Sequence, residues 1–352
     1  MEFTSYLLHN RVLFITTKQL SYIRNTQELR ICREYAAQVD VLGSESSCYP
    51  VRLMKVYGSL LLKSCRKYDV IFLGFSPQLI LPVWFWKFRK QFIMIDFFIS
   101  MYDTLCLDRG RVKPDGSLGK WLKWIDKRTL ALADWSLCDT RAHGRFFQRE
   151  LGAREGAMEV LYLEADQDLY YPKVVSKPEE WKNCFVVLYF GSILPLQGVD
   201  VILDAIEGVQ GQEQSVDRLR FVLVGPLSKQ QTKRIDKLSY VHWEKWLSQQ
   251  ALSDCIAMAD LCLAGHFHPT IEKARRTIPG KAYIYETMEK PMILGENAAN
   301  RERYQEGEGI SFVPMGDAKA LLQEILKQYE KWSKTEKEIL RRNEDKVENE
   351  KQ

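Results

Sequence analysis

The chain has 352 residues, 46% hydrophobic and 12% aromatic, with 50 Lys and Arg against 46 Asp and Glu for a net charge of +4. That apolar content excludes a disordered or low-complexity chain, and the length exceeds what one hydrophobic core usually fills, so two domains are expected. The small total charge argues against a dedicated nucleic-acid binder, yet residues 52–149 carry 18 Lys and Arg and 8 Asp and Glu, leaving 32 against 38 elsewhere. A basic face confined to the first half points to an anionic partner.

Short β-branched runs alternate with helical patterns from the start, which predicts a parallel α/β architecture. The first half offers strands at 11–16, 38–43, 69–74, 91–96, 134–139 and 158–163, with helices at 25–35, 53–66, 118–132 and 142–151. Val70 to Trp86 is 17 residues without a charge, just short of the about 20 of a spanning helix. Pro77 and Pro82 break it, so VIFLGF reads as a buried strand and 79–90 as a separate short helix; no membrane span is expected. After a polar connector at 171–183, strands restart at 184–191, 219–225, 240–243, 260–265, 291–295 and 310–314. Helices are expected between them at 199–207, 249–258, 282–288 and 318–332. The Lys- and Glu-rich remainder reads as a solvated helix or frayed end. The layout is thus a domain at 1–170, a second at 171–332 and a charged tail at 333–352, with two Rossmann-like domains facing a central cleft.

The eight cysteines show no CxxC, and several lie in apolar runs, such as Cys138 in WSLC and Cys262 in DLCLAG. With no cleavable leader in view, they read as buried reduced thiols of a cytoplasmic protein. The histidines do not pair with them at ligand spacing, so no metal is expected.

Neither half carries GxGxxG or GxxxxGK[ST], and GxSxG and HExxH are missing, which disfavours dehydrogenase, P-loop and common hydrolase chemistry. Three segments hold the candidate chemistry. In YFGSILPLQGVDVILDA (189–205) a strand runs through Gly191 into a turn and a helix, a place where phosphate meets backbone N–H groups. In LAGHFHPTIEKARRTIPGKAYIYETMEKPMILG (263–295) a helix starts after Pro279-Gly280 with Lys281 in its first turn. A cation there opposes the helix dipole, so a negative ligand is expected beside it. In IDFFISMYDTLCLDRGRV (95–112), Asp96, Asp103 and Arg109 follow the end of a strand, where open α/β sheets bind ligands.

These segments, with RLRFVLVGP (218–226), ADWSLCDTRAH (133–143) and LYLEADQDLYYP (161–172), resemble a GT-B glycosyltransferase of the retaining family 4 (group 1) type over roughly residues 10–330. The resemblance implies that the second half binds a nucleotide-diphosphate sugar and the first half a saccharide or lipid-linked acceptor. It further implies transfer in the cleft with retention, with no cofactor or metal. Phosphate contacts fall on Gly191, Ser192, Gln197 and Lys281, with Arg275 or Arg276 supplying further charge. His268 and Glu272 are candidates for the donor sugar, Glu286 for the ribose, and Asp96, Asp103 and Arg109 for the acceptor side. The chain departs from the family pattern in several places. Ser192 and Gln197 stand where Arg and Lys are frequent, Ile284 where the ribose glutamate is expected, Glu289 where a glycine is usual, and Asp96 where a histidine is often found. A GT-B-like subunit without turnover, binding glycan or supporting a partner, is the alternative reading.

Residues 79–92 and 118–135 interleave Trp, Phe and Leu with Lys and Arg. Such stretches suit an anionic membrane surface, with aromatic bodies in the lipid interface and lysines at the headgroups. A peripheral position on the inner face of the plasma membrane follows from that reading. No nucleic-acid module is recognisable, and the oligomeric state is not encoded.

Overall fold

The computed structural model describes residues 2–192, 194–212 and 216–349, with side chains through 336. Two compact units result: Met1–Asp166 with Arg275–Ile278, and Gln167–Ala274 with Pro279–Gln352.

The first unit runs α1 (Thr4–Leu7), β1 (Arg11–Ile15), α2 (Ile23–Tyr35), β2 (Gln38–Leu42), α3 (Tyr49–Leu62), β3 (Val70–Leu73), α4 (Leu81–Phe88) and β4 (Phe92–Asp96). It continues with α5 (Ser117–Leu132), β5 (Trp135–Cys138), α6 (Arg141–Phe146) and β6 (Met158–Val160). The six strands are parallel in the order β2-β1-β3-β4-β5-β6. Alternate residues of each strand face opposite sides. Leu13, Ile15, Ile71, Leu73, Ile93 and Ile95 enter one core with α3, α4 and α5. Val12, Phe14, Val70, Phe72 and Met94 enter another with Leu29 and Cys32 of α2. Burial on both faces explains why these strands read as continuous apolar runs. Pro77 opens a single 3-10 turn and Pro82 sits in the first turn of α4, where its missing N–H is harmless. No helix among the described residues is long and apolar enough to cross a membrane.

The second unit runs β7 (Phe185–Phe190), α7 (Val199–Glu207), β8 (Leu219–Val224), α8 (Lys229–Ile235), β9 (Val241–Glu244), α9 (Gln249–Met258) and β10 (Leu261–Gly265). Then come α10 (Gly280–Thr287), β11 (Met292–Gly295), α11 (Ala298–Arg303), β12 (Ile310–Val313) and α12 (Ala318–Asn349). Its parallel sheet is ordered β12-β11-β10-β7-β8-β9. No periodic pattern announces α8 and α11, two short helices that begin at side-chain caps, Ser228 and Asn297. The helix expected at 318–332 continues to 349, so the charged tail prolongs α12 instead of starting a separate segment. None of the eight cysteines is in a disulfide, and seven of them are buried.

Strand order reverses between β1 and β3 in the first unit and between β7 and β10 in the second. Crevices outside the carboxyl ends of strands at such reversals are where open α/β sheets take ligands.

Candidate functional site

In the second unit the reversal point is built by the turns after β7 and β10. Gly191 follows β7 directly, and a Cβ there would lie 2.9 Å from Lys281 Nζ and 2.9 Å from Tyr189 Oη, so a side chain would have to displace them. Ser192 is exposed beside it. The chain then makes a 3-10 turn, Pro195–Gln197, and passes Gly198 at φ 68°, a left-handed conformation that glycine adopts without strain. A Cβ on Gly198 would come within 2.5 Å of Phe267 C and His268 N, so the two turns pack backbone to backbone. The Phe267 N–H donates to Gln197 O at 3.2 Å and locks them together.

Lys281 enters from the first turn of α10 and is 5% exposed. Its Nζ donates to Gln197 Oε1 at 2.7 Å and stands 3.9 Å from the centre of the Tyr189 ring. Burial pushes this amine well below the ordinary lysine pKa, and no nearby charge offsets the effect. Tyr189 Oη is buried without a hydrogen-bond partner, and burial pushes the phenol up, so it stays a donor. A cation site lacking an anion, beside an unused O–H donor, is chemically set to receive a negatively charged group.

On the β10 side, His266 is buried with Nδ1 3.4 Å from Ala274 O. His268 is half-buried, and its Nδ1 accepts from the Thr270 and Ile271 N–H groups at 3.3 and 3.2 Å. That fixes the tautomer with its proton on Nε2. Glu272 is exposed at the start of a 3-10 turn, Glu272–Arg275. Glu286 is not brought to Lys281: five residues along α10 is about 7.5 Å. Its carboxylate accepts from Arg303 at 3.0 and 3.1 Å and from Tyr304 at 3.2 Å. With Glu289 and Lys290 it lines a groove of about 740 Å³ at the first residues of β7, β10, β11 and β12. That is the amino edge of the sheet, opposite the reversal-point crevice. We place the candidate site at Gly191 and Lys281 because topology and the buried amine without a counter-charge agree there.

The first unit corrects one expectation. Asp96 is 1% exposed and accepts from Arg24 Nε and Nη2 at 2.9 Å each, so it neutralises a buried guanidinium and is closed to an acceptor. Glu28 lies 3.5 Å from the same guanidinium, and burial first, then the Asp96 charge, raises its carboxyl well above the usual range. Asp103 is also buried, at the start of a π-helical turn, Asp103–Asp108. Buried Asp126 of α5 positions that turn, accepting from Ser100 Oγ at 2.6 Å and the Tyr102 N–H at 2.9 Å. Arg276 Nη2 donates to Asp103 Oδ1 at 2.8 Å and its guanidinium lies over the Phe146 ring at 3.8 Å. His143 is fully buried, with Nδ1 2.7 Å from Asp139 and Nε2 3.5 Å from Asp103. Burial pushes this imidazole down, but the Asp139 and Asp103 carboxylates outweigh it and the net shift is upward. Arg109 and Arg275 are exposed. Among the described residues, no three His, Cys, Asp or Glu side chains are grouped to hold a metal ion.

Sequence reasoning missed Tyr189, Arg24 and the Asp139–His143 pair. The last had a signal, a carboxylate four residues before a histidine at a helix start. Tyr189 reads as one more apolar strand residue, and nothing in the pattern of α2 marks Arg24 as buried.

Residues 184–331 match the family model for glycosyl transferases group 1. No curated protein sequence matches the chain. Among solved structures it is similar to HepE of Anabaena in complex with UDP and glucose, at 15% identity, TM-score 0.59, covering 90% of this chain and 89% of that one. It is also similar to sucrose-phosphate synthase of Thermosynechococcus elongatus, at 12% identity and TM-score 0.65 over 90% and 89%. A glycosyltransferase of Rickettsia africae matches at 12% identity and TM-score 0.58 over 91% and 88%. The glycosyl transferases group 1 match thus falls on the second unit, and the two parallel six-stranded sheets are the fold of the GT-B glycosyltransferases.

Proposed function

We propose that the chain is a family 4 type glycosyltransferase that moves a sugar from a nucleotide-diphosphate donor to a saccharide or lipid-linked acceptor, with retention and without a metal, in the building of a polysaccharide. The observation that carries this reading is Lys281, a buried cation site without a counter-charge at the carboxyl ends of β7 and β10. When the bond between the anomeric carbon and the diphosphate oxygen breaks, negative charge collects on the leaving group. A preorganised donor set in a dry site stabilises that charge more than the ground state. Lys281 supplies the charge, with Ser192 and Gln197 as neutral donors and His268 Nε2–H and Glu272 for the sugar hydroxyls. The first unit takes the acceptor, through Arg109 and the arginines at 275 and 276, with buried Asp103 holding Arg276 in place. The UDP and glucose named for HepE support a nucleotide sugar as donor. Incubation with a panel of nucleotide sugars tests the reading: nucleotide release is expected, and Lys281→Ala should lower it at least a hundredfold. Full turnover by Lys281→Ala would refute the site.

The acceptor side is proposed to work at an anionic membrane surface. Trp86, Trp121 and Trp124 are 64%, 50% and 56% exposed, and α3 adds Leu62 at 92%. Lys55, Arg89, Lys90, Lys113, Lys120, Lys127 and Arg128 are exposed, whereas the exposed carboxylates of residues 51–132 are Asp115 and Asp69, the latter paired with Arg11. Each basic residue near an anionic bilayer contributes about 1 kcal/mol. Sedimentation with vesicles of anionic lipid should recover the protein, and equal recovery with neutral vesicles would contradict the electrostatic part.

A further inference from the structure

Two polar atoms converge on the Cβ side of Gly191, and neither meets a negative charge among the described residues. Lys281 Nζ and Tyr189 Oη would each stand 2.9 Å from a Cβ placed on that glycine. Nζ is hydrogen-bonded to the neutral Gln197 amide at 2.7 Å and lies 3.9 and 5.9 Å from the ring centres of Tyr189 and Phe190. Tyr189 Oη is buried and makes no hydrogen bond, a state folded proteins rarely leave unexplained. The surrounding titratable groups are few. Tyr285, one turn along α10, is buried, and burial pushes its phenol well up, so it brings no charge. From the β10 turn, His266 points to Ala274 O, and the His268 Nδ1 is taken by backbone N–H groups. Glu286 is engaged by Arg303 and Tyr304. Burial lowers the Lys281 amine, and no carboxylate among the described residues holds a charge on Nζ.

We propose that the diphosphate of the donor binds with uptake of one proton from solvent, which resides on Lys281 Nζ, and that Tyr189 Oη donates a hydrogen bond to the same diphosphate. This rests on the reading of a nucleotide-diphosphate donor and deepens it. In the free protein the dry pocket favours the neutral amine, and an arriving anion favours the ammonium, so binding and protonation are linked. Tyr189 acts as a binding residue: its hydroxyl is unused until the anion arrives, and its high pKa keeps the proton on oxygen throughout.

The test is calorimetry of UDP and GDP binding to the whole chain in two buffers of different ionisation enthalpy, from pH 7.5 to 9.5. There the terminal phosphate, with a second pKa of about 6, is fully ionised. The expected result is net proton uptake approaching one, and affinity that falls up to tenfold per pH unit. Lys281→Arg, permanently charged, should bind with no uptake and a flat pH profile. Tyr189→Phe should bind about five- to tenfold more weakly while keeping the proton count and the thermal stability of the free protein. Binding of UDP or GDP without proton uptake would overturn the inference and leave the donor reading standing. Failure of both nucleotides to bind would remove the two together.

Discussion

Lys281→Met offers the sharpest separation between a residue kept for the fold and one kept for a ligand. Methionine has nearly the same length and shape, so the cavity around the stem stays filled. The substitution removes Nζ from a pocket whose polar contact is one amide oxygen, Gln197 Oε1, and Gln197 is half-buried, so it can turn to water. Two effects compete. The ring of Tyr189 at 3.9 Å would favour a charged Nζ, a contact worth about 0.5–2 kcal/mol. Burying a poorly satisfied polar group costs roughly 1–3 kcal/mol, and more if it is charged. The cost of burial outweighs the ring contact, so the variant should be more stable by about 1 kcal/mol, or roughly 2–4 °C in Tm for a unit of this size. The pH sign follows from the depressed amine. Between the lowered folded value and the ordinary lysine value the unfolded chain binds a proton that the folded chain refuses, so wild-type stability rises with pH in that window. The gain from Lys281→Met should therefore be larger at pH 7 than at pH 9.5, while nucleotide binding is lost at both. Urea unfolding at the two pH values measures it. Destabilisation beyond about 1 kcal/mol at both would show that the fold itself holds a charged Lys281.

Asp96→Ala should cost up to about 3–5 kcal/mol by removing the bidentate partner of the buried Arg24 guanidinium and leaving it Glu28 alone; a variant of normal stability with lost transfer would restore an acceptor role for Asp96. Asp139→Asn should lower the titration point of His143, followed by imidazole NMR. Because that pKa is raised in the fold, its stabilisation is present in full below the unfolded histidine value and fades as pH climbs through the folded one, so the variant should lose more stability at pH 6 than at pH 9. Gly198→Ala combines a left-handed φ with a Cβ 2.5 Å from the neighbouring turn, and should lose at least about 2 kcal/mol in urea unfolding. Replacing Trp86, Trp121 and Trp124 with Ser should reduce recovery on anionic vesicles severalfold with a smaller change in Tm than a core substitution, since all three side chains are half or more exposed.

The central strands were legible because a strand buried on both faces must be apolar throughout, as in VIFL of β3 or FVVLYF of β7, whereas the half-buried edge strands β2, β6 and β9 were legible from the β-branched residues between turns. The short helices α8 and α11 were not, since their ends are set by local caps and their faces carry little periodicity. At the site, Gly191 and Lys281 were legible from turn chemistry and Gln197 from the family resemblance, and the structure brings the three together. Asp96 was misjudged for a physical reason. A carboxylate at a strand end satisfies the same rule whether it meets a ligand or a buried arginine 72 residues away in sequence, and only tertiary pairing decides. Glu286 fell two positions from the expected site, and on a helix that turns the side chain to another face.

Hydrogen exchange of the whole chain with and without saturating UDP tests the central claim most directly, that the carboxyl-edge crevice of the second unit holds a nucleoside diphosphate. Protection is predicted in 189–192, 194–198, 265–268 and 279–285, the segments that converge on Lys281. Protection confined to the groove at the amino edge, around Glu289, Lys290 and Ile310, or no protection in either place, would contradict it.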